Sequence, residues 1–134
     1  MSRVFVDTTA LLALLDGADA RHEATTAAFA DMVLDDLVTH GYVVAESIAV
    51  ASRRFGVEGV VALLDDLLPI VDLVSVDAVL HGAALARYRA ALRSGTSFVD
   101  QVSLAVIARE RVDAVFALDD DLAAAGVRLV PHSD

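Results

Sequence analysis

The chain contains no cysteine and no lysine. Without cysteine there is no disulfide scaffold and no thiolate metal site. Without lysine there is no P-loop and no Schiff-base chemistry, both of which require its side-chain nitrogen. Positive charge is scarce in general: ten arginines face twenty Asp and Glu residues, for a formal net charge of −10. Broad binding to nucleic acid runs on cations that neutralise phosphates, so this balance argues against it. A nucleic-acid substrate would have to be met by bound cations and local arginines. Long apolar runs are also missing. None reaches the ~18 residues of a membrane span. Only three apolar residues separate Met1-Ser2-Arg3 from Asp7, short of the roughly 7 to 15 in a signal-peptide core. The expectation is a cytoplasmic protein without membrane association.

Apolar side chains, by contrast, are abundant, at 57% of the residues and a mean hydropathy of +0.61. A chain of 134 residues has room for one domain, which buries roughly 65 to 70% of its unfolded surface. The apolar surplus points to burial against another chain, in an oligomer, a complex or both.

Hydrophobic spacing predicts an alternation of strands and helices. Arg3 to Val6 reads as a buried strand, followed by a helix over Ala10 to Leu15 with a threonine cap at Thr8 or Thr9. A second helix is expected over Asp19 to Leu37, with Ala24, Ala27, Ala28, Met32 and Leu34 on one side, then a short strand at Val38-Thr39. Helices follow over Gly41 to Phe55, broken by Gly56, and over Val57 to Leu68, stopped by Pro69. Ile70 to Val76 reads as a strand, Asp77 to Arg93 and Phe98 to Glu110 as helices, and Asp113 to Leu118 as a strand. A short helix over Asp119 to Ala125 and a strand over Val127 to Val130 complete the chain. Such alternation implies a mainly parallel sheet with helices on both faces and a ligand site at the carboxyl ends of the strands.

The informative feature is where the carboxylates fall. Asp7 is the only charged residue between Val4 and Leu15, Glu46 the only one between Gly41 and Ser52, and Asp100 the only one from Ser94 to Ala108. An ionised carboxylate in apolar surroundings costs several kcal/mol unless something compensates it. No cation lies in those segments, so the partner is an arginine from elsewhere or a bound metal. Asp119 follows a strand and falls at the same sheet edge as Asp7. Two carboxylates about 4 Å apart repel by roughly 4 kcal/mol at an effective dielectric near 20, and a divalent cation resolves the repulsion. An all-oxygen donor set suits Mg²⁺ or Mn²⁺, and none of the four histidines, at 22, 40, 81 and 132, falls in these runs. Such an ion can activate water for attack on a phosphodiester.

Each acid also has a plainer reading. Asp100, three residues after Ser97, fits a capping arrangement. Asp7 could accept hydrogen bonds from the Thr8 and Thr9 amides. Asp119 and Asp121 could cap the following helix. Glu46 is the hardest to explain structurally, because acids in the middle of apolar helices rarely lack a partner.

In these residues the chain resembles the PIN-domain ribonucleases, and within them the VapC toxins of toxin-antitoxin modules. The resemblance runs through Val6-Asp7-Thr8-Thr9-Ala10-Leu11-Leu12, Tyr42-Val43-Val44-Ala45-Glu46, Ser97-Phe98-Val99-Asp100 and Phe116-Ala117-Leu118-Asp119-Asp120-Asp121-Leu122. It implies a three-layer α/β/α fold comprising a single PIN domain over residues 1–134, with Asp7, Glu46, Asp100 and Asp119 as catalytic, metal-binding acids. Thr9 and Ser97 would support them from behind. Serine is typical where this chain has Thr9, which keeps the hydroxyl. Asp120 departs from the usual neutral or basic residue and leaves Asp121 as a further candidate ligand. The resemblance also implies a Mg²⁺- or Mn²⁺-dependent endoribonuclease acting on structured RNA such as a tRNA or an rRNA loop. Its partners would be a VapB-like antitoxin and a second toxin copy, with operator DNA reached only through the antitoxin.

Two other readings compete. A PIN-like module that binds RNA or a partner without cutting has the same fold. A receiver-like signalling domain shares an acidic pocket, but expects a lysine that is absent here and a second acid beside Asp7. Two arginine clusters, Arg53 with Arg54 and Arg87 with Arg89 and Arg93, are candidate guides for an RNA backbone, although helix ends commonly carry arginine to complement the dipole.

Overall fold

The computed structural model describes residues 1–131. Its elements run β1 (Arg3–Val6), α1 (Thr8–Leu15), α2 (His22–Ala30), β2 (Asp36–His40), α3 (Gly41–Ala62), β3 (Asp72–Val74), α4 (Ala78–Ala90), α5 (Phe98–Glu110), β4 (Ala114–Phe116) and β5 (Arg128–Val130). The five strands form one parallel sheet in the order β3-β2-β1-β4-β5, with helices on both faces as expected. β1 lies in the middle, and Val4, Phe5 and Val6 are all buried. That is why its sequence is continuously apolar and does not alternate.

This strand order places the functional edge. From β1 the chain moves outward to β2 and β3, then crosses back to β4 and β5 on the other side. Progression therefore reverses between β1 and β4, and the loops after their carboxyl ends diverge to leave a crevice. Asp7 follows β1 directly, and Asp119 lies three residues beyond β4.

Several elements are shorter than expected. α1 begins at Thr8, and its N-cap is Asp7, whose carboxylate accepts from the Thr9 amide; the cap is not a threonine. The helix expected over Asp19 to Leu37 covers only His22–Ala30, and Leu37 belongs to β2. The buried side of α2 holds Thr25, and Leu34 is 78% exposed. Strand β3 spans three residues of the expected seven. Asp119 to Ala125 forms a turn followed by a single 3-10 turn at Ala123–Ala125, not a helix.

Gly56 breaks α3 as expected, at φ 70° and ψ −161°, a conformation open essentially to glycine alone. Beyond Ala62 the chain continues through a π turn at Leu63–Leu67 and a 3-10 turn at Leu68–Ile70 that contains Pro69.

Candidate active site

Asp7 is set by the end of β1. Its amide donates to the Phe116 carbonyl at 3.0 Å, which ties it to the end of β4. The Asp7 side chain is 5% exposed. Oδ2 accepts from the Thr9 hydroxyl at 2.7 Å and from the Thr9 amide at 3.3 Å. The same hydroxyl oxygen accepts from the Leu118 amide at 3.1 Å. Thr9 thus fastens the carboxylate that ends one strand to the loop that carries Asp119.

Burial pushes the Asp7 carboxyl up to about 6, against the opposing effect of the Thr9 hydrogen bonds, and the charges of Asp119 and Asp100 push it further the same way. Asp100 comes from the first turn of α5. It is held by a reciprocal cap in which the Ser97 hydroxyl accepts from the Asp100 amide at 3.0 Å while Asp100 Oδ2 accepts from the Ser97 amide at 3.4 Å. Ser97 is therefore the helix cap, and through that role it orients Asp100. Asp119 Oδ1 accepts from the Asp121 amide at 3.2 Å, which closes the turn after β4. Asp121 does not cap a helix. Its carboxyl is raised by partial burial, then by the charges of Asp119 and Asp100, and it contacts the Asp119 carboxyl.

Asp7, Asp100, Asp119 and Asp121 therefore share one electrostatic neighbourhood at the crevice. Glu46 is half-buried in the second turn of α3, which starts at the carboxyl end of the neighbouring β2. It is not among the groups that act most strongly on Asp7. Among the described residues, none of these five acids forms an ion pair. The arginine pairs found are Arg3 with Asp36 and Glu110, Arg21 with Asp19, Arg54 with Asp16 and Arg109 with Glu110.

The donor chemistry fits a hard divalent cation, since it consists of carboxylates and a hydroxyl with no sulfur. Among the described residues no three acids or histidines meet closely enough to hold an ion as they stand. Among the described residues two buried side-chain oxygens lack a hydrogen-bond partner, Thr8 Oγ1 and Ser47 Oγ.

His40 is a structural residue that apolar spacing does not single out. This fully buried side chain caps α3, its Nδ1 accepting from the Tyr42 and Val43 amides at 3.1 and 3.4 Å. With Nδ1 occupied as an acceptor, the proton sits on Nε2, which donates to the Ser103 hydroxyl at 2.9 Å. Burial lowers the ring to about 4, so it is neutral and locks β2, α3 and α5 together. The available signal was its position between a strand and a helix, where a capping side chain is required.

Of the candidate arginines, Arg54 pairs with Asp16 at 3.3 Å and lies 5.1 Å from the Phe55 ring centre. Arg53, Arg87, Arg89 and Arg93 are exposed and make no ion pair among the described residues.

Comparison with known proteins agrees with this architecture. Residues 4–127 match the PIN domain family. The crystal structure of the VapC20 toxin of Mycobacterium tuberculosis, described as cleaving the sarcin-ricin loop, is 30% identical. The match covers 92% of this chain and 95% of that one, with a TM-score of 0.83. The FitAcB structure of Neisseria gonorrhoeae is 19% identical over 94% of this chain and 95% of that one, with a TM-score of 0.70. VapBC2 of Rickettsia felis, bound to a promoter DNA fragment, is 11% identical over 95% and 96%, with a TM-score of 0.65. Among curated protein sequences no match is found. The chain belongs to the PIN-domain nuclease family, among its VapC-type members. No helix of the described residues is long and apolar enough to cross a membrane.

Proposed function

We propose that this protein is a Mg²⁺- or Mn²⁺-dependent endoribonuclease and the toxin half of a toxin-antitoxin pair. Asp7, Asp100, Asp119 and Glu46 would hold the cation, with Asp121 as a further ligand. Once bound, the cation would polarise a phosphodiester and supply an activated water. Thr9 keeps Asp7 aimed into the crevice, and Ser97 does the same for Asp100. The observation that carries the reading is a buried carboxylate at the β1–β4 crevice on which the charges of Asp119 and Asp100 act, the same two raising Asp121, with none of the four paired with an arginine among the described residues. Four negative groups gathered without a counter-charge are costly as structure and useful as a cation site.

Structured RNA is the substrate class suggested by likeness to VapC20, described as cleaving the sarcin-ricin loop. A VapB-like antitoxin, through which operator DNA would be bound, is suggested by VapBC2 and its promoter fragment. Apolar surface supports protein partners, including a second toxin copy: Val33 and Val79 are each 82% exposed, Val57 79% and Leu73 66%. A non-cutting PIN-like module is the second reading, favoured only by the position of Glu46, which does not act strongly on Asp7.

Inducible expression in a bacterial host separates the two. Growth arrest and new RNA 5′ ends with the wild type, and neither with Asp7→Asn, are expected. Unchanged RNA ends with the wild type would overturn the nuclease.

A further inference from the structure

Ten arginines must serve all phosphate recognition in a chain of net charge −10, so their placement relative to Asp7 matters more than their number. One small cleft, about 90 Å³, opens beside the acidic crevice and is lined by Thr9, Leu12, Ala13, Asp19, Arg21 and Arg54. Thr9, Leu12 and Ala13 fall on one face of α1, at i, i+3 and i+4. The cleft therefore begins at the residue that fastens Asp7 and runs about one helical turn, roughly 5 Å, away from it. Its far wall carries two guanidinium groups, Arg21 and Arg54, beside the Asp19 carboxylate.

Both guanidinium groups are held in place. Arg21 grips Asp19 with Nε and Nη2, each at 3.3 Å, and Asp19 also caps the turn by accepting from the Arg21 amide at 2.7 Å. Arg54 reaches from α3 across to Asp16 through Nη2 at 3.3 Å, with Phe55 beneath it. The hydrogen bonds of Arg21, joined by the charges of Arg21 and Arg54, hold the Asp19 carboxyl below its usual range, so both cations lie near Asp19. In each arginine Nη1 makes no hydrogen bond among the described residues, and Arg54 Nε is free as well. Two prealigned cations with spare donors thus face a cleft that opens next to Asp7.

We propose that this cleft is the subsite for a backbone phosphate adjoining the scissile one, with Arg21 and Arg54 as its ligands. The inference rests on the ribonuclease reading, because it needs the RNA backbone to pass Asp7. It also changes the assignment made from sequence alone. Arg54 is retained, Arg21 is added, and Arg53, Arg87, Arg89 and Arg93 fall outside the cleft. Asp16 and Asp19 act as positioning residues that fix the guanidinium planes where a phosphate oxygen can receive two donors.

The test uses the full chain and two probes, bulk bacterial tRNA and a synthetic sarcin-ricin hairpin. Binding is measured against salt in the Asp7→Asn background, where the RNA stays intact, and KM and kcat are measured in the wild-type background with Mn²⁺. Arg21→Gln and Arg54→Gln are each expected to raise KM about tenfold with kcat nearly unchanged. Each should lower the salt slope of RNA binding by about one, and Arg54→Lys should restore much of that slope. The control Arg111→Gln, at the opposite end of α5 from Asp100, should change neither. Melting temperatures verify folding, since both arginine pairs are exposed and worth little to stability. RNA cleavage with unchanged KM and salt slope in both cleft variants would overturn the subsite while leaving the nuclease intact. Wild type that binds RNA without cutting it, with the slope lowered in the cleft variants, would leave the cleft a phosphate contact of a non-cutting module and overturn its place beside a scissile phosphate. Wild type that neither cuts nor binds RNA would overturn both.

Discussion

The state of a single carboxyl, Asp7, sets much of the behaviour of the cation-free protein. Its folded-state value of about 6 lies above the unfolded value of 3.8. The folded protein therefore binds the extra proton more tightly, and the associated stability is present at low pH and lost as pH rises through 6. At neutral pH this is a penalty of about 3 kcal/mol. An asparagine at this position keeps an oxygen for the two Thr9 donors and carries no charge. Asp7→Asn is therefore expected to raise the stability of the cation-free protein by about 1 to 3 kcal/mol at pH 7.5, with the gain vanishing near pH 4; urea denaturation at the two pH values checks it. Thr9 is the complementary case. Thr9→Val strips a donor from Asp7 and leaves the Leu118 amide without its acceptor, at a cost of about 1 to 3 kcal/mol. Thr9→Ser should be nearly neutral by the same measurement.

Elements were legible in the sequence where local chemistry decides them. β1 and α5 are legible residue for residue, because three apolar residues before a lone acid and a serine-to-aspartate cap are local signals. The break at Gly56 was legible for the same reason. A Cβ placed there meets nothing within 4 Å, so only the backbone conformation demands glycine. Gly56→Ala should cost about 1 to 3 kcal/mol, measured by urea denaturation, and a change below about 0.3 kcal/mol would mean the kink relaxes freely. The overlong second helix failed for lack of a stop signal. Leu37 lies in β2, which holds only two apolar residues, and the turn over Asp31 to Asp35 before it contains no Gly or Pro to stop a helical pattern. In the site, Asp7, Glu46 and Asp100 stand out by their isolation in apolar runs, and Asp119 by its place after a strand. The bridge from Thr9 to Leu118 spans 109 residues, and neither it nor the histidine lock between His40 and Ser103 leaves any trace in spacing.

Across the whole molecule these buried groups act against one another. The folded-state value of His40, about 4, lies below its unfolded value of 6.5. Its contribution is full above pH 6.5 and lost as pH falls through 4, a total of about 3 kcal/mol. Asp7 gains stability on acidification over nearly the same window. The cation-free wild type should therefore show an almost flat stability profile between pH 4 and 6.5, whereas Asp7→Asn should lose stability steadily on acidification as His40 acts alone. Parallel thermal melts of the two proteins across that range check the compensation. A divalent cation would reverse the balance at neutral pH by turning the gathered charge from a penalty into a source of affinity, which is how a fold can keep so many unpaired acids at one crevice.

Manganese binding, followed by loss of the free-ion electron paramagnetic resonance signal, reads that crevice without RNA or an antitoxin. The wild type should take up Mn²⁺, and Asp7→Asn, Glu46→Gln, Asp100→Asn and Asp119→Asn should each weaken uptake by about tenfold or more. Four variants that bind Mn²⁺ as tightly as the wild type would show that these carboxylates do not act together on a metal ion.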